Sequence, residues 1–405
     1  MPETQLVGEQ IAYHRKRLGL SQVEFAGLIG RSESWVSQVE RGVRTVDRLS
    51  VLQRVADVLS VSVAELRGGA SDNGEIEERP EAFEALRLAL TGHPVVGMVL
   101  APVDTTPVDL AGMRTQHATV WPMVHASQYT ELAPVLTGLI IGLERAIRSS
   151  ASDEHTREAR ELLGDTYQAA SAMLAKFGET DAAWIAADRA AFISEEIGAP
   201  LAVAASLFRM AHVFLSLGQI SQAEHVARST ASALQARISA DLQPEALSLY
   251  GAFKLVLAIA AARDNQRAEA HQHLEEAREV ARRLGEDRND YGTEFGPTNV
   301  AIHAVAVAVE LGDAGQAMEL ADGVDTSGLS AERQARYLID LASAHAMRRQ
   351  IGEALNCLQE AERLTPEQVR THRVARAVAR DLLQLSGPRP RPELRELAER
   401  FGVLP

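Results

Sequence analysis

Asn299 ends a segment punctuated by glycine and proline, Asp290-Tyr291-Gly292-Thr293-Glu294-Phe295-Gly296-Pro297-Thr298-Asn299, and His303 follows it. A primary amide carries donor and acceptor together, so Asn299 can hold a peptide backbone. Tyr291 and Phe295 bring apolar surface to the same stretch, in a chain whose aromatic content is only 4%. Tyr291, Phe295, Asn299 and His303 are therefore candidates for ligand contact. The same spacing also fits a structured turn with Asn299 near a helix start. At the level of sequence both readings stand.

Catalytic chemistry has no comparable signature. The chain lacks Gly-x-Ser-x-Gly, a Walker loop, Gly-x-Gly-x-x-Gly and His-Glu-x-x-His. His271 and His273 lie two apart on an expected helix, so they point about 200° apart and share no metal face. His212, His225, His303 and His345 are scattered. The single cysteine, Cys357, allows neither an internal disulfide nor a cysteine-rich zinc site, and reads as a buried structural thiol. The expectation is a protein that is not an enzyme and carries no cofactor and no metal.

These candidates sit in a long helical region. From about Tyr129 onward, amphipathic alanine-rich helices are broken near Gly178, Gly218, Asp264-Asn265, Gly312 and Ile351-Gly352, at intervals of about forty residues. Apolar positions precede each break and an alanine-rich helix follows, as in Phe208, Ala211, Leu217-Gly218-Gln219, Ala223 and Ala227. Small residues on both sides of a tight turn let two antiparallel helices pack closely. The pattern resembles a tetratricopeptide-like array of five or six helix pairs, which stack into a superhelix with a concave groove. Glu393 to Phe401 would cap it, after Arg389-Pro390-Arg391-Pro392.

The N-terminal segment differs. Residues 6–67 read as five short helices. The second opens at Ser21 with a capping box, Ser21-Gln22-Val23-Glu24, and the third at Ser32, an N-cap residue. Only Gly30-Arg31 separates them, and Phe25, Ala26, Ile29, Val36 and Val39 are spaced to meet between them. Two short helices crossing over a small turn form a helix-turn-helix. Glycine-rich residues 68–74 then read as a flexible linker. The expected organisation is a DNA-binding domain at 1–69, a linker and irregular helical segment at 70–128, and a repeat domain for ligand binding and dimerisation at 129–405.

Leu20-Ser21-Gln22, Phe25-Ala26, Gly30, Ser32 and Val36-Ser37-Gln38-Val39-Glu40-Arg41-Gly42 together resemble the Cro/C1-type family, the xenobiotic-response-element regulators. The resemblance covers about 60 residues. It implies an all-α protein, a five-helix lambda-repressor-like domain joined to a tetratricopeptide-like α-solenoid. It also implies that the N-terminal end of the third helix enters the major groove. Glu33, Ser34 and Trp35 stand there, with Gln38 one turn on, where an amide can bond adenine N6 and N7. Trp35 reads either as a packing residue or as a base contact. Gln22 would meet a phosphate, with Ser37, Arg31 and Arg44 as further phosphate candidates. Arg15 and Glu40 match a family pair that forms an internal salt bridge. The whole chain resembles large actinobacterial regulators that carry a similar Phe-Gly-Pro-Thr-Asn stretch, and peptide-pheromone receptors with a helix-turn-helix head and a tetratricopeptide body.

Charge is divided between the regions. The net charge is −14, yet residues 1–69 carry nine Lys+Arg against eight Asp+Glu, leaving −15 on the remainder. Contact with phosphate therefore falls to the first region, and an acidic groove would suit a cationic ligand. The N-terminus lacks a signal-peptide h-region and the apolar run 135–143 is too short to span a bilayer, so a cytoplasmic protein with no membrane partner is expected. The implied partners are double-stranded DNA carrying an inverted-repeat operator, a peptide or small-molecule ligand, and a second copy in a homodimer. The alternative is a scaffold whose repeats bind another protein, with DNA binding secondary.

Overall fold

The computed structural model describes residues 3–17, 20–44, 46, 49–59, 66, 81–91, 100, 109–150, 152–240, 243–387 and 390–404. Its contacts divide the chain into two compact units, Met1–Arg79 and Pro80–Pro405. Among the described residues the regular structure is helical in both, and one isolated β-bridge joins Arg288 to Phe295.

The first unit holds α1 (Glu3–Arg17), α2 (Gln22–Leu28), α3 (Glu33–Glu40) and α4 (Leu49–Leu59). Ile11, Phe25, Ala26, Ile29, Val36, Val39, Val55, Ala56, Leu59 and Leu66 form its buried core. The expected fifth helix, Val63–Leu66, lies outside the described residues apart from Leu66, which is fully buried.

The second unit begins well before residue 129. Helices α5 (Glu81–Thr91), α6 (Leu110–His117) and α7 (Val120–His125) pack with α8 (Tyr129–Ser149), and Phe83, Leu86, Leu90, Val120 and Val124 are buried in the same cluster as Leu132, Leu136 and Leu143. The apolar stripe Phe83, Leu86 and Leu90 has helical spacing, so it must be covered, and α8 covers it.

Helix pairs follow: α9 (Asp153–Lys176) with α10 (Thr180–Glu196), α11 (Pro200–Ser216) with α12 (Ile220–Ala240), α13 (Pro244–Arg263) with α14 (Arg267–Leu284), α15 (Pro297–Glu310) with α16 (Ala314–Ala321), and α17 (Ala331–Met347) with α18 (Ile351–Leu364). The turns at Gly178, Gly218, Asp264-Asn265 and Gly312 are the breaks read from sequence. The last one moves: the turn is Arg348 to Gln350, with Arg349 at φ 59, and Ile351-Gly352 already lie in α18. Short α19 (Pro366–Thr371), α20 (Arg373–Ser386) and α21 (Pro392–Arg400) end the stack, with Leu394, Leu397 and Phe401 buried over it.

The first helices of successive pairs touch one another, α9 to α11, α11 to α13, α13 to α15 and α15 to α17. They form one inner layer and the second helices form the outer one, the stacking order of a helical solenoid. Helix α13 lies mid-layer and is buried on nearly every side, by fourteen of its twenty residues. Among the described residues it is the one helix long and apolar enough to cross a membrane, and its surface is spent on the protein core.

The stack also returns on itself. Ser127 Oγ donates to Gln368 Oε1 at 2.9 Å, and Thr130 N–H donates to Glu367 Oε2 at 2.9 Å. Lys176 of α9 pairs with Glu332 of α17 at 2.5 Å.

Candidate nucleic-acid interface and inner-face site

Local capping sets the helix-turn-helix. Ser21 Oγ accepts from the Glu24 N–H at 3.2 Å, and Glu24 Oε2 accepts from the Ser21 N–H at 2.8 Å. Hydrogen bonding from the Ser21 side chain, and then from its backbone N–H, holds the Glu24 carboxyl below its ordinary range. After Ile29 the chain turns at Gly30 (φ 67), and the Arg31 N–H reaches back to the Ala26 carbonyl at 2.8 Å. Ser32 Oγ then caps α3 by accepting from the Trp35 N–H at 3.2 Å.

Long-range bonds fix α3 against α1 and α2. Arg15 Nε and Nη2 donate to the two oxygens of Glu40 at 2.5 and 2.9 Å, and Arg15 Nη1 donates to the Leu20 carbonyl at 2.6 Å. Gln22 Nε2 donates to Glu40 Oε2 at 2.8 Å. Gln22, expected at a phosphate, is half-buried and has one amide proton committed inside the protein. Gly8 was not singled out from sequence. A Cβ there would overlap the Val39 carbonyl oxygen, so α1 crosses the end of α3 at backbone contact.

The remaining face of α3 is open. Arg31, Glu33, Ser34 and Arg44 are exposed, Ser37 and Gln38 are half-exposed, and Gln38 Nε2 lies 3.4 Å from Ser34 Oγ one turn back. Trp35 is half-buried against the core, with the Arg31 guanidinium 5.7 Å from its ring centroid. A helix N-terminus carrying short hydroxyls, an amide and flanking arginines can donate to phosphates and read base edges.

In the second unit the segment 285–296 crosses the inner layer. Phe295 is fully buried and its ring fills the space above Gly251 of α13, where a Cβ would overlap it. Phe295 therefore anchors the loop in the core and is withdrawn from ligand contact. Tyr291 (φ 51) packs part of its ring on the same core. Asp287 caps α15 through the Thr298 N–H at 3.0 Å and the Thr298 hydroxyl at 2.6 Å.

Asn299 and His303 stand one turn apart on α15. The His303 Nδ1–H donates to the Asn299 carbonyl at 2.8 Å, while Asn299 is 2% exposed and its side-chain Oδ1 meets no donor. Facing them are residues that sequence reasoning missed. Arg209 of α11 donates through Nη2 to the carbonyls of Tyr291 (2.6 Å) and Gly292 (3.1 Å) and lies over the rings of Trp121 (4.8 Å) and Phe208 (5.3 Å). Arg333 of α17 donates to the next carbonyl, Thr293, at 3.3 Å, and pairs with Glu294 at 3.5 Å. Burial first, then the charge of Arg333, pulls the Arg209 guanidinium down to about 10. Burial and Arg333 likewise push His303 down to about 3, and burial, Arg333, Arg209 and His303 hold His212 well below its usual range. No local sequence pattern marks Arg209, because its partners lie about eighty residues away.

His273 is buried between Glu269 and Glu276, and among the described residues no group of three His, Cys, Asp or Glu is placed to hold a metal. Burial pushes the Cys357 thiol up to about 11, away from a reactive thiolate.

The first unit is a helix-turn-helix domain, and residues 6–67 match the family model described as Helix-turn-helix domain. Over 58 residues the chain is 36% identical to the HTH-type transcriptional regulator SinR of Bacillus subtilis (strain 168), and equally to SinR of Bacillus licheniformis. That stretch is 14% of this chain and 52% of each relative, so the chain spans about half the length of the curated relatives it matches. Among solved structures, Bacillus thuringiensis PlcR in complex with the peptide PapR7 and DNA is similar with a TM-score of 0.30 at 11% identity, over 92% of this chain and 99% of that one. A score of that size does not establish a shared overall arrangement.

Proposed function

We propose that the protein is a sequence-specific DNA-binding transcriptional regulator of the cytoplasm, not an enzyme, whose helical body binds a ligand. The observation that carries the reading is the open face of α3. The helix is capped, buried on Val36 and Val39 and locked through Glu40, while Glu33 and Ser34 are exposed and Gln38 is half-exposed. A face built this rigidly and left free suits a partner, and the match to helix-turn-helix regulators names duplex DNA. Ser34 and Gln38 read base edges, and Arg31, Ser37 and Arg44 hold phosphates. A homodimer places two such helices on half-sites one turn apart, which calls for an inverted repeat. The ligand acts by binding the two arrangements of the dimer with different affinity.

Selection of random duplexes by the full-length protein tests this. An enriched inverted repeat whose specificity relaxes at one position in Gln38→Ala is the expected result. Failure to enrich any sequence at low salt, where phosphate attraction is strongest, would overturn it in favour of a scaffold that works through its repeats.

A further inference from the structure

We propose that the inner face of the second unit, at Arg209, His212, Asn299, His303 and Arg333, binds the carboxylate of a small ligand or peptide end that also offers an N–H or O–H donor. This deepens the ligand-responsive reading above and depends on it only for the consequence of binding.

Arg209 is 7% exposed, and among the described residues no carboxylate reaches its guanidinium at ion-pairing distance. Its Nε–H has no acceptor, although one Nη is spent on two carbonyls. A buried cation without a counter-ion is strongly unfavourable, and an anion relieves it. The nearby carboxylates are already committed. Asp165 accepts from Trp121 Nε1 at 2.9 Å and meets His117 at 2.9 Å, Glu332 pairs with Lys176, and Glu294 pairs with Arg333 at 3.5 Å and accepts from the N–H and hydroxyl of Ser330 at 3.0 and 2.8 Å. Three consecutive carbonyls, of Tyr291, Gly292 and Thr293, hold Arg209 and Arg333 side by side, so two guanidinium groups share one space. Arg333 has Glu294 as its counter-ion, whereas Arg209 is held by carbonyls and rings alone, so the anion's place is at Arg209.

Asn299 supplies the second half of the recognition. Its Oδ1 is a buried acceptor lacking a donor, and buried polar groups are normally satisfied. His212 and His303 keep part of their surface open, giving access from the inner face. A carboxylate on the arginines with a neighbouring donor on Asn299 satisfies both deficits at once.

Thermal unfolding of the full chain tests the proposal. The probes are N-acetylglycine, a mixture of N-acetyl tripeptides with free C-terminal carboxylates, and the C-terminal amides of both, each up to 10 mM. Free acids raise Tm and the amides do not. A shift with the tripeptide acids alone assigns a peptide end, and a shift with N-acetylglycine as well assigns a small acid. Arg333→Gln and Asn299→Asp lower the affinity about ten- to a hundredfold, the loss expected for a charge-assisted hydrogen bond. They keep the test valid should Arg209→Gln not fold. Equal shifts by acids and amides, or no shift by any acid, overturn the proposal. Binding to the selected duplex is measured in parallel without probe. Its failure sinks the regulator reading and leaves the carboxylate site standing, whereas acid-insensitive unfolding with DNA binding intact does the reverse.

Discussion

Arg15 grips Glu40 through two N–H groups, at 2.5 and 2.9 Å, and both side chains are more than nine-tenths buried. The pair ties the end of α1 to the end of α3 and so sets the angle at which α3 leaves the core. Removing one partner strands the other charge, a change that costs about 3 kcal/mol or more at buried pairs. Arg15→Ala should therefore loosen the first unit. Hydrogen exchange of peptides from 3–17 and 33–40 should rise, with the second unit unchanged. Unaltered protection would show that the pair contributes no stability.

Gly8 and Gly27 make a matched comparison. A Cβ at Gly8 overlaps the Val39 carbonyl, which is backbone and cannot swing away, whereas a Cβ at Gly27 meets nothing. Gly8→Ala should destabilise the first unit by about 1–3 kcal/mol. Gly27→Ala, inside α2, should be neutral or stabilise by up to about 1 kcal/mol. Chemical denaturation of both variants gives the comparison, and equal effects would refute the close crossing.

Phe295 and Gly251 form a ring-over-glycine contact in the second unit. Gly251→Ala should cost about 1–3 kcal/mol by overpacking. Combining it with Phe295→Leu, which vacates part of that space, should cost less than the sum of the two single changes. A double-mutant cycle on Tm reads the coupling, and strict additivity would place the ring elsewhere.

His303 predicts an acid dependence. Its folded value is about 3, below the unfolded value of about 6.5, so the unfolded chain binds the proton first as pH falls. Its stabilising effect is complete above roughly pH 6.5 and is lost progressively toward pH 3, about 2 kcal/mol being gone at pH 5. His303→Gln should show a smaller drop in Tm between pH 7.5 and 5 than the parent. Parallel curves would mean that His303 titrates normally.

What the sequence by itself determined is local. Caps at Ser21 and Ser32, the Gly30 turn and the small-residue turns at Gly178, Gly218 and Gly312 are written within three or four neighbouring residues, because a helix end is satisfied by groups one turn away. The all-helical class, the helix-turn-helix and the pairing of helices followed from them. The stripe at Phe83, Leu86 and Leu90 was equally present, but its partner face on α8 lies some fifty residues on, so the segment read as part of a linker. Tertiary structure alone decided which side chains meet. It sent Phe295 into the core over Gly251, gave the Gln22 amide to Glu40, and set Arg209 against the carbonyls of Tyr291 and Gly292. It also brought Arg209 and Arg333 to neighbouring carbonyls, with a carboxylate paired to Arg333 but not to Arg209. Net charge sums over the whole surface, whereas the field at a site depends on the few groups within reach and on whether each has a counter-ion.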